Sequence, residues 1–116
     1  MKYYIIAGEV SGDKHGSNLI HSLKKMDSEA EIRFWGGDAM QLAGGTMVKH
    51  IRDLAFMGFF EVIIHLRTIL NLLTICKKDI LSYRPDVVIL IDYPGFNLRI
   101  AEWAKKNGFK VVYYIV

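Results

Sequence analysis

The stretch Lys2-Tyr3-Tyr4-Ile5-Ile6-Ala7, followed at once by Gly8-Glu9-Val10-Ser11-Gly12-Asp13-Lys14-His15-Gly16, constrains this chain more than any other. A short apolar run rich in aromatic and β-branched residues reads as a buried strand. It runs into a loop with glycines at Gly8, Gly12 and Gly16. Leu19, Ile20, Leu23 and Met26 then mark one face of a helix. Strand, glycine loop and helix in that order open an α/β domain of the nucleotide-binding kind. Ligands of such sheets sit beyond the carboxyl ends of the strands, so this loop points at the site.

Glycines let the backbone turn tightly and let a ligand come close to it. Ser11 or Asp13 can cap the helix, and the N–H groups of a helix's first turn favour a phosphate. The loop is not a Walker A, because it lacks a closing Gly-Lys-Ser/Thr. It is not G-x-G-x-x-G either, because its glycines stand four apart. No motif supports ATP or NAD, and no cofactor is expected. Two readings stay open: an anion cradle, or a tight connection that only joins strand to helix.

A length of 116 residues suits one domain. With 52% hydrophobic and 23% charged residues the chain can bury a core, which argues against disorder. The net charge of +3 comes partly from the pairs Lys24-Lys25, Lys77-Lys78 and Lys105-Lys106. These fall near helix ends or outer faces, where they complement helix dipoles, so no nucleic-acid surface is expected. Cys76 is the only cysteine, so an intrachain disulfide is impossible and a reducing cytosol is expected. No signal peptide is visible. The apolar stretch Leu54–Cys76 is interrupted by Glu61, His65 and Arg67, which argues against a spanning helix.

Helix one is expected from about Asp13 to Met26. Glu31 to Trp35 alternates as strand two, Gly36-Gly37-Asp38 makes a second glycine turn, and a short helix covers Ala39 to Ala43. Thr46-Met47-Val48 reads as strand three. Lys49 to Gly58 reads as a loop carrying His50, Arg52, Asp53, Phe56 and Met57. A helical pattern runs from Phe59 to about Tyr83, with Leu66, Ile69, Leu70, Leu73, Cys76 and Ile80 on one face. Pro85 ends it. Asp86 to Ile91 is a near-continuous apolar run that suits a parallel strand buried on both faces. Asp92-Tyr93-Pro94-Gly95-Phe96-Asn97 leads into a helix closed by Asn107-Gly108, and Lys110 to Ile115 is the last strand. The alternation predicts an α/β, Rossmann-like parallel sheet ordered 3-2-1-4-5 with right-handed crossovers.

Asp92 stands where a buried strand ends. Glu9, Asp13 and His15 come from the loop of its predicted neighbour in the sheet. A carboxylate, a glycine cradle and a histidine could therefore converge, as a general base and its substrate require. Plainer readings stand beside these. Asp92 can be a turn residue ahead of Pro-Gly, Glu9 can bond loop backbone, His15 can be half-buried in the helix, and Asn97 can be a helix N-terminal residue. No histidines stand four apart and no Asp-x-Asp occurs, so no metal is expected. Ser11 lacks a G-x-S-x-G context. Phe56, Met57, Phe59, Phe60 and Ile63 make a segment greasier than a half-exposed helix needs, which suits core packing or a lipid interface.

Several stretches occur together in a fixed order. They are Ala7-Gly8-Glu9-Val10-Ser11-Gly12-Asp13-x-His15-Gly16, Phe34-Trp35-Gly36-Gly37-Asp38-x-Met40, Met57-Gly58-x-x-Glu61-Val62 and Arg84-Pro85-Asp86. Ile91-Asp92-Tyr93-Pro94-Gly95-Phe96-Asn97-Leu98-Arg99 and Tyr113-Tyr114-Ile115 follow. The set resembles the amino-terminal half of the lipid-A-disaccharide synthase family and covers essentially the whole chain. The resemblance implies an inverting GT-B glycosyltransferase with two Rossmann-like domains. Such an enzyme joins UDP-2,3-diacylglucosamine to 2,3-diacylglucosamine 1-phosphate and releases UDP without a metal. It works in the cytoplasm, peripheral on the inner membrane of Gram-negative bacteria.

On that resemblance residues 1–116 are the acceptor-side domain. Asp92 takes the place of the proposed general base for the acceptor's 6-hydroxyl. Gly8, Glu9, Ser11, Gly12, Asp13, His15 and Asn97 line the acceptor side. The segment around Phe56, Met57, Phe59, Phe60 and Ile63 meets acyl chains and membrane. The family continues with a Ser-Pro stretch where this sequence has Val116, and its nucleotide-sugar domain is absent here. The chain alone is therefore expected to form no disaccharide. Lys14 stands where the family usually has an apolar residue. The alternative is a non-catalytic α/β fragment that binds a lipid surface or a partner through an open edge strand, with a homo-oligomer left open.

Overall fold

The computed structural model describes residues 1–54 and 66–115. In chain order the elements are β1 (Lys2–Ala7), α1 (Val10–Met26), β2 (Glu31–Gly36), α2 (Asp38–Ala43), β3 (Thr46–His50) and a 3-10 turn (Ile51–Leu54). Then come α3 (Leu66–Tyr83), β4 (Val87–Ile91), α4 (Pro94–Lys106) and β5 (Val111–Tyr114). The strands form one sheet in the order β3-β2-β1-β4-β5, every pair parallel. This is the topology that the alternation of strands and helices predicts.

β1 is the centre of the sheet, and Ile5 pairs with Phe34 on one side and with Ile89 on the other. A strand in that place meets helices on both faces, which explains a run of apolar residues with no polar alternation. Tyr3, Ile5 and Ala7 pack with Ile20 of α1 and Met40 of α2. Tyr4 and Ile6 pack on the opposite face with Ile69, Leu73, Cys76 and Ile80 of α3 and with Phe96 and Ile100 of α4. Each such aliphatic side chain contributes about 1.5–3 kcal/mol on full burial. Burial also pushes the Cys76 thiol up, so this cysteine stays a protonated core residue.

Two large polar-tipped residues are buried in the second layer because their polar atoms are satisfied. Trp35 Nε1 donates to Tyr4 Oη at 2.8 Å, and Tyr4 Oη donates to Asp79 Oδ2 at 2.7 Å. Arg33 donates to both Asp79 oxygens, from Nε and Nη2, each at 2.7 Å. Burial pushes the Asp79 carboxyl up, but the bonds from Arg33 and Tyr4 outweigh it. The carboxyl is held below the usual carboxylate range.

One expectation needs correction. Helix α1 begins at Val10, not near Asp13, so Gly12 and Gly16 lie within it rather than in a loop. Residues four apart share a helix face. At Gly12 a β-carbon would touch Ala7 Cβ and Ile91 Cγ2, and at Gly16 it would meet the Met40 side chain. These glycines let α1 lie close to the sheet and to α2. Only Gly8 remains in the connection. β3 reaches His50, so Lys49 and His50 of the stretch read as a loop are strand, and Ile51–Leu54 forms a 3-10 turn. Phe56, Met57, Phe59, Phe60 and Ile63 lie outside the described residues. Among the described residues no helix is long and apolar enough to cross a membrane.

Candidate active-site cleft

β1 and β4 are neighbours and end at the same edge of the sheet, so the turns that leave them meet. The first turn is Gly8-Glu9-Val10. Glu9 is extended, with φ −136° and ψ 162°, and it heads α1 with no side-chain hydrogen bond to the first turn. The amino end of a 17-residue helix therefore opens at the sheet edge without a side-chain cap.

The second turn is Asp92-Tyr93-Pro94. Asp92 and Tyr93 have φ of 45° and 53°, a left-handed pair of non-glycine residues costing roughly 1–2 kcal/mol each. The surroundings hold them there. Asn97 Nδ2 donates to the carbonyls of Ile6, Ile91 and Asp92 at 3.2, 3.3 and 3.0 Å. Tyr113 Oη donates to the Asp92 carbonyl at 2.7 Å, and the Asp92 N–H donates to the Tyr114 carbonyl at 2.9 Å. The Tyr93 ring turns inward over Gly8 and its Oη donates to the Leu54 carbonyl at 2.8 Å. Burial, then the nearby Glu9 carboxylate, push the Tyr93 hydroxyl up, which keeps it a donor. Pro94, with its preset φ, starts α4.

The third wall is the end of β3 and the turn after it. His50 Nε2 lies 2.9 Å from Asp38 Oδ1, and His50 Nδ1 accepts the Arg52 N–H at 3.1 Å. Together the three walls enclose a cleft of about 770 Å³. Gly8, Glu9 and Val10 line one side, Tyr93, Pro94 and Gly95 the second, and Asp38, His50, Ile51, Arg52 and Leu54 the third. That volume suits a small-molecule site. Arg52 and the open start of α1 favour an anionic group, and Glu9 and Asp38 can accept hydrogen bonds from hydroxyls. Among the described residues no group of three or more histidine, cysteine or acidic side chains is placed to hold a metal ion.

The family model described as lipid-A-disaccharide synthetase matches residues 3–116. The chain belongs to this family. It is 46% identical over 113 residues to a lipid-A-disaccharide synthase of Syntrophus aciditrophicus, covering 96% of this chain and 29% of that protein. It is 41% identical over 111 residues to one of Geobacter metallireducens, with the same coverage. A synthase of Xanthomonas campestris is also 41% identical, and the match covers 96% of this chain and 25% of that protein. The chain thus spans less than a third of the length of these relatives. The crystal structure of a glycotransferase of kitacinnamycin shares the fold, with a TM-score of 0.70 at 14% identity over 98% of this chain and 30% of that one.

Within this lipid-A-disaccharide synthetase segment, Gly8 and Glu9 line the cleft. Asp13 is buried and points elsewhere. Its Oδ1 accepts the N–H groups of Gly37 at 2.7 Å and Met40 at 3.0 Å, and its Oδ2 accepts that of Ala39 at 3.0 Å. It caps α2 from a neighbouring helix, because Gly37 has no side chain to do so. Gly12, within α1, faces Ala7 and Ile91 of the sheet, and Asn97 is a fully buried clamp behind the second turn. Ser11 is exposed and is not part of the lining. His15 stands beside Tyr114, ring centroids 6.2 Å apart, in a separate shallow depression with Asn18, Leu19 and Ser22.

Asp92 is half-buried, one residue before the cleft-lining Tyr93 and outside the lining itself. Burial, then its carboxylate, push the Tyr113 hydroxyl up. Of the lining, sequence reasoning selected only Gly8 and Glu9; it did not select the polar Tyr93, Asp38, His50 and Arg52, nor Val10, Ile51, Leu54, Pro94 and Gly95. Asp38 had a signal, because it follows the glycines at the end of β2, beside β1 in the sheet. His50 and Arg52 had none, since nothing in their spacing says that β3 ends against this cleft.

Proposed function

We propose that residues 1–116 form the acceptor-side domain of an inverting, GT-B-type lipid-A-disaccharide synthase. In this reading the cleft binds the sugar of 2,3-diacylglucosamine 1-phosphate, which receives 2,3-diacylglucosamine from its UDP conjugate. The observation that carries it is the cleft where β1 and β4 end, in a chain matched by the family model along almost its whole length. Arg52 and the uncapped start of α1 favour the acceptor's phosphate. Gly8 lets the substrate near the backbone, and Glu9 accepts hydrogen bonds from hydroxyls. Gly12, Asp13 and Asn97 serve by holding the turns, while Ser11 and His15 lie outward of them.

Asp92 takes the proton of the acceptor's 6-hydroxyl as that oxygen attacks the anomeric carbon of the donor. UDP leaves with the electrons of the broken bond. The support for this role is the position of Asp92, in a left-handed turn held from three directions beside Tyr93. The apolar segment Phe56–Ile64 follows the third wall in sequence and meets the acyl chains and the cytoplasmic surface of the inner membrane.

The test is a substitution in a full-length family enzyme at the position matching Asp92. Asparagine tolerates the left-handed turn, so Asp92→Asn should fold. It should lower kcat at least about 100-fold while leaving acceptor KM and Tm near those of the parent. Turnover close to the parent's would remove Asp92 from the mechanism.

A further inference from the structure

We propose that His50 is a positioning residue that latches the third wall of the cleft in one protonation state and releases it on taking up a second proton. Its importance for ligand binding rests on the cleft being the site proposed above; the latch itself rests on geometry alone.

Both ring nitrogens are committed. The Arg52 backbone N–H can only donate, so Nδ1, 3.1 Å away, carries a lone pair. The Asp38 carboxylate only accepts, so Nε2, 2.9 Å away, carries the proton. Only the neutral Nε2–H tautomer satisfies both bonds. An imidazolium would keep the Asp38 contact and strengthen it. At Nδ1, however, it would set one N–H against another with no acceptor between them.

The bond that fails is the one closing the end of β3 onto the 3-10 turn. That turn brings Arg52 to the cleft and presents the Leu54 carbonyl to Tyr93 Oη. The wall is thus pinned at two places, His50 at its start and Leu54 at its end. Among the described residues, the charged groups that share the cleft lining with the ring are Asp38, Glu9 and Arg52, and Lys49 and Asp53 flank it on its own segment. The His50 side chain is 14% exposed and that of Asp38 is 88% exposed, so the proton reaches a ring held by a solvent-facing partner.

The test is NMR of this chain with ring-15N-labelled histidine and no ligand, so failure of the latch is read apart from failure of the binding site. At neutral pH, His50 should show a pyridine-like Nδ1 and a pyrrole-like Nε2. On acidification the amides of Arg52, Leu54 and Tyr93 should move in step with the His50 ring, while those of Ile5 and Ile89 stay still. In His50→Gln the concerted movement should vanish. Should that variant not fold, Asp38→Ala, at an exposed position, should speed exchange of the Arg52 amide several-fold at neutral pH. An Nδ1–H tautomer at neutral pH, an Arg52 amide indifferent to His50 titration, or unchanged Arg52 exchange in Asp38→Ala would each overturn the proposal.

Discussion

The Tyr93 ring packs on the backbone of Gly8 so closely that a β-carbon at position 8 would overlap ring atoms Cγ, Cδ2 and Cε2. This contact ties the end of β1 to the end of β4 at the cleft. Gly8 is needed there for space, since its φ does not lie in the left-handed region.

Gly8→Ala should therefore destabilise the chain by about 1–3 kcal/mol, as overpacking does. Trimming the ring should relieve the clash. In a urea double-mutant cycle, the loss in Gly8→Ala/Tyr93→Leu should fall well below the sum of the two single losses. Simple additivity would contradict the contact.

Asp13 makes a different kind of prediction, because it serves α2 rather than the cleft. Asp13→Ala leaves three N–H groups at the start of α2 without their acceptor. The expected cost is about 3 kcal/mol, from unmet buried donors and a lost cap. Urea midpoints would show it. A variant of parental stability that had lost only ligand binding would show Asp13 to be a ligand contact instead.

Asp79 should give the stability of the fold part of its pH dependence. Its carboxyl is held below its unfolded value of about 3.9. The stabilisation it provides is therefore present above that value and lost as pH falls through the lower, folded one. As pH falls from neutral through the folded-state value, the parent should lose more stability than Asp79→Asn, read as a larger fall in urea midpoint. Equal losses in the two proteins would show that the Arg33–Asp79–Tyr4 network does not govern this titration.

The order of the strands was legible because each apolar run is followed by a helical period, and Val87–Ile91 has the continuous hydrophobicity of a strand covered on both faces. The start of α1 was not legible. Gly12 and Gly16 look like loop glycines when counted along the chain, yet a spacing of four is one helix face. The role of Asp13 was hidden for another reason. Its partners, Gly37, Ala39 and Met40, lie 24 to 27 positions away, and only the packing of α1 against α2 brings them together. Gly8, Glu9 and the Asp92 turn were legible as a site because neighbouring parallel strands end side by side. His50 and Arg52 were not, since the reach of β3 past Val48 has no strong apolar signature.

The most direct test of the acceptor-side assignment is an amide NMR titration of this chain with a short-acyl glucosamine 1-phosphate. Shift changes should concentrate at Gly8, Glu9, Arg52, Tyr93 and Gly95, where β1, β3 and β4 end around the cleft. The depression at the opposite edge of the sheet, near Lys24, Gly45 and Thr46, should stay silent. A well-dispersed spectrum that does not change, or changes clustered at that opposite edge, would contradict the account.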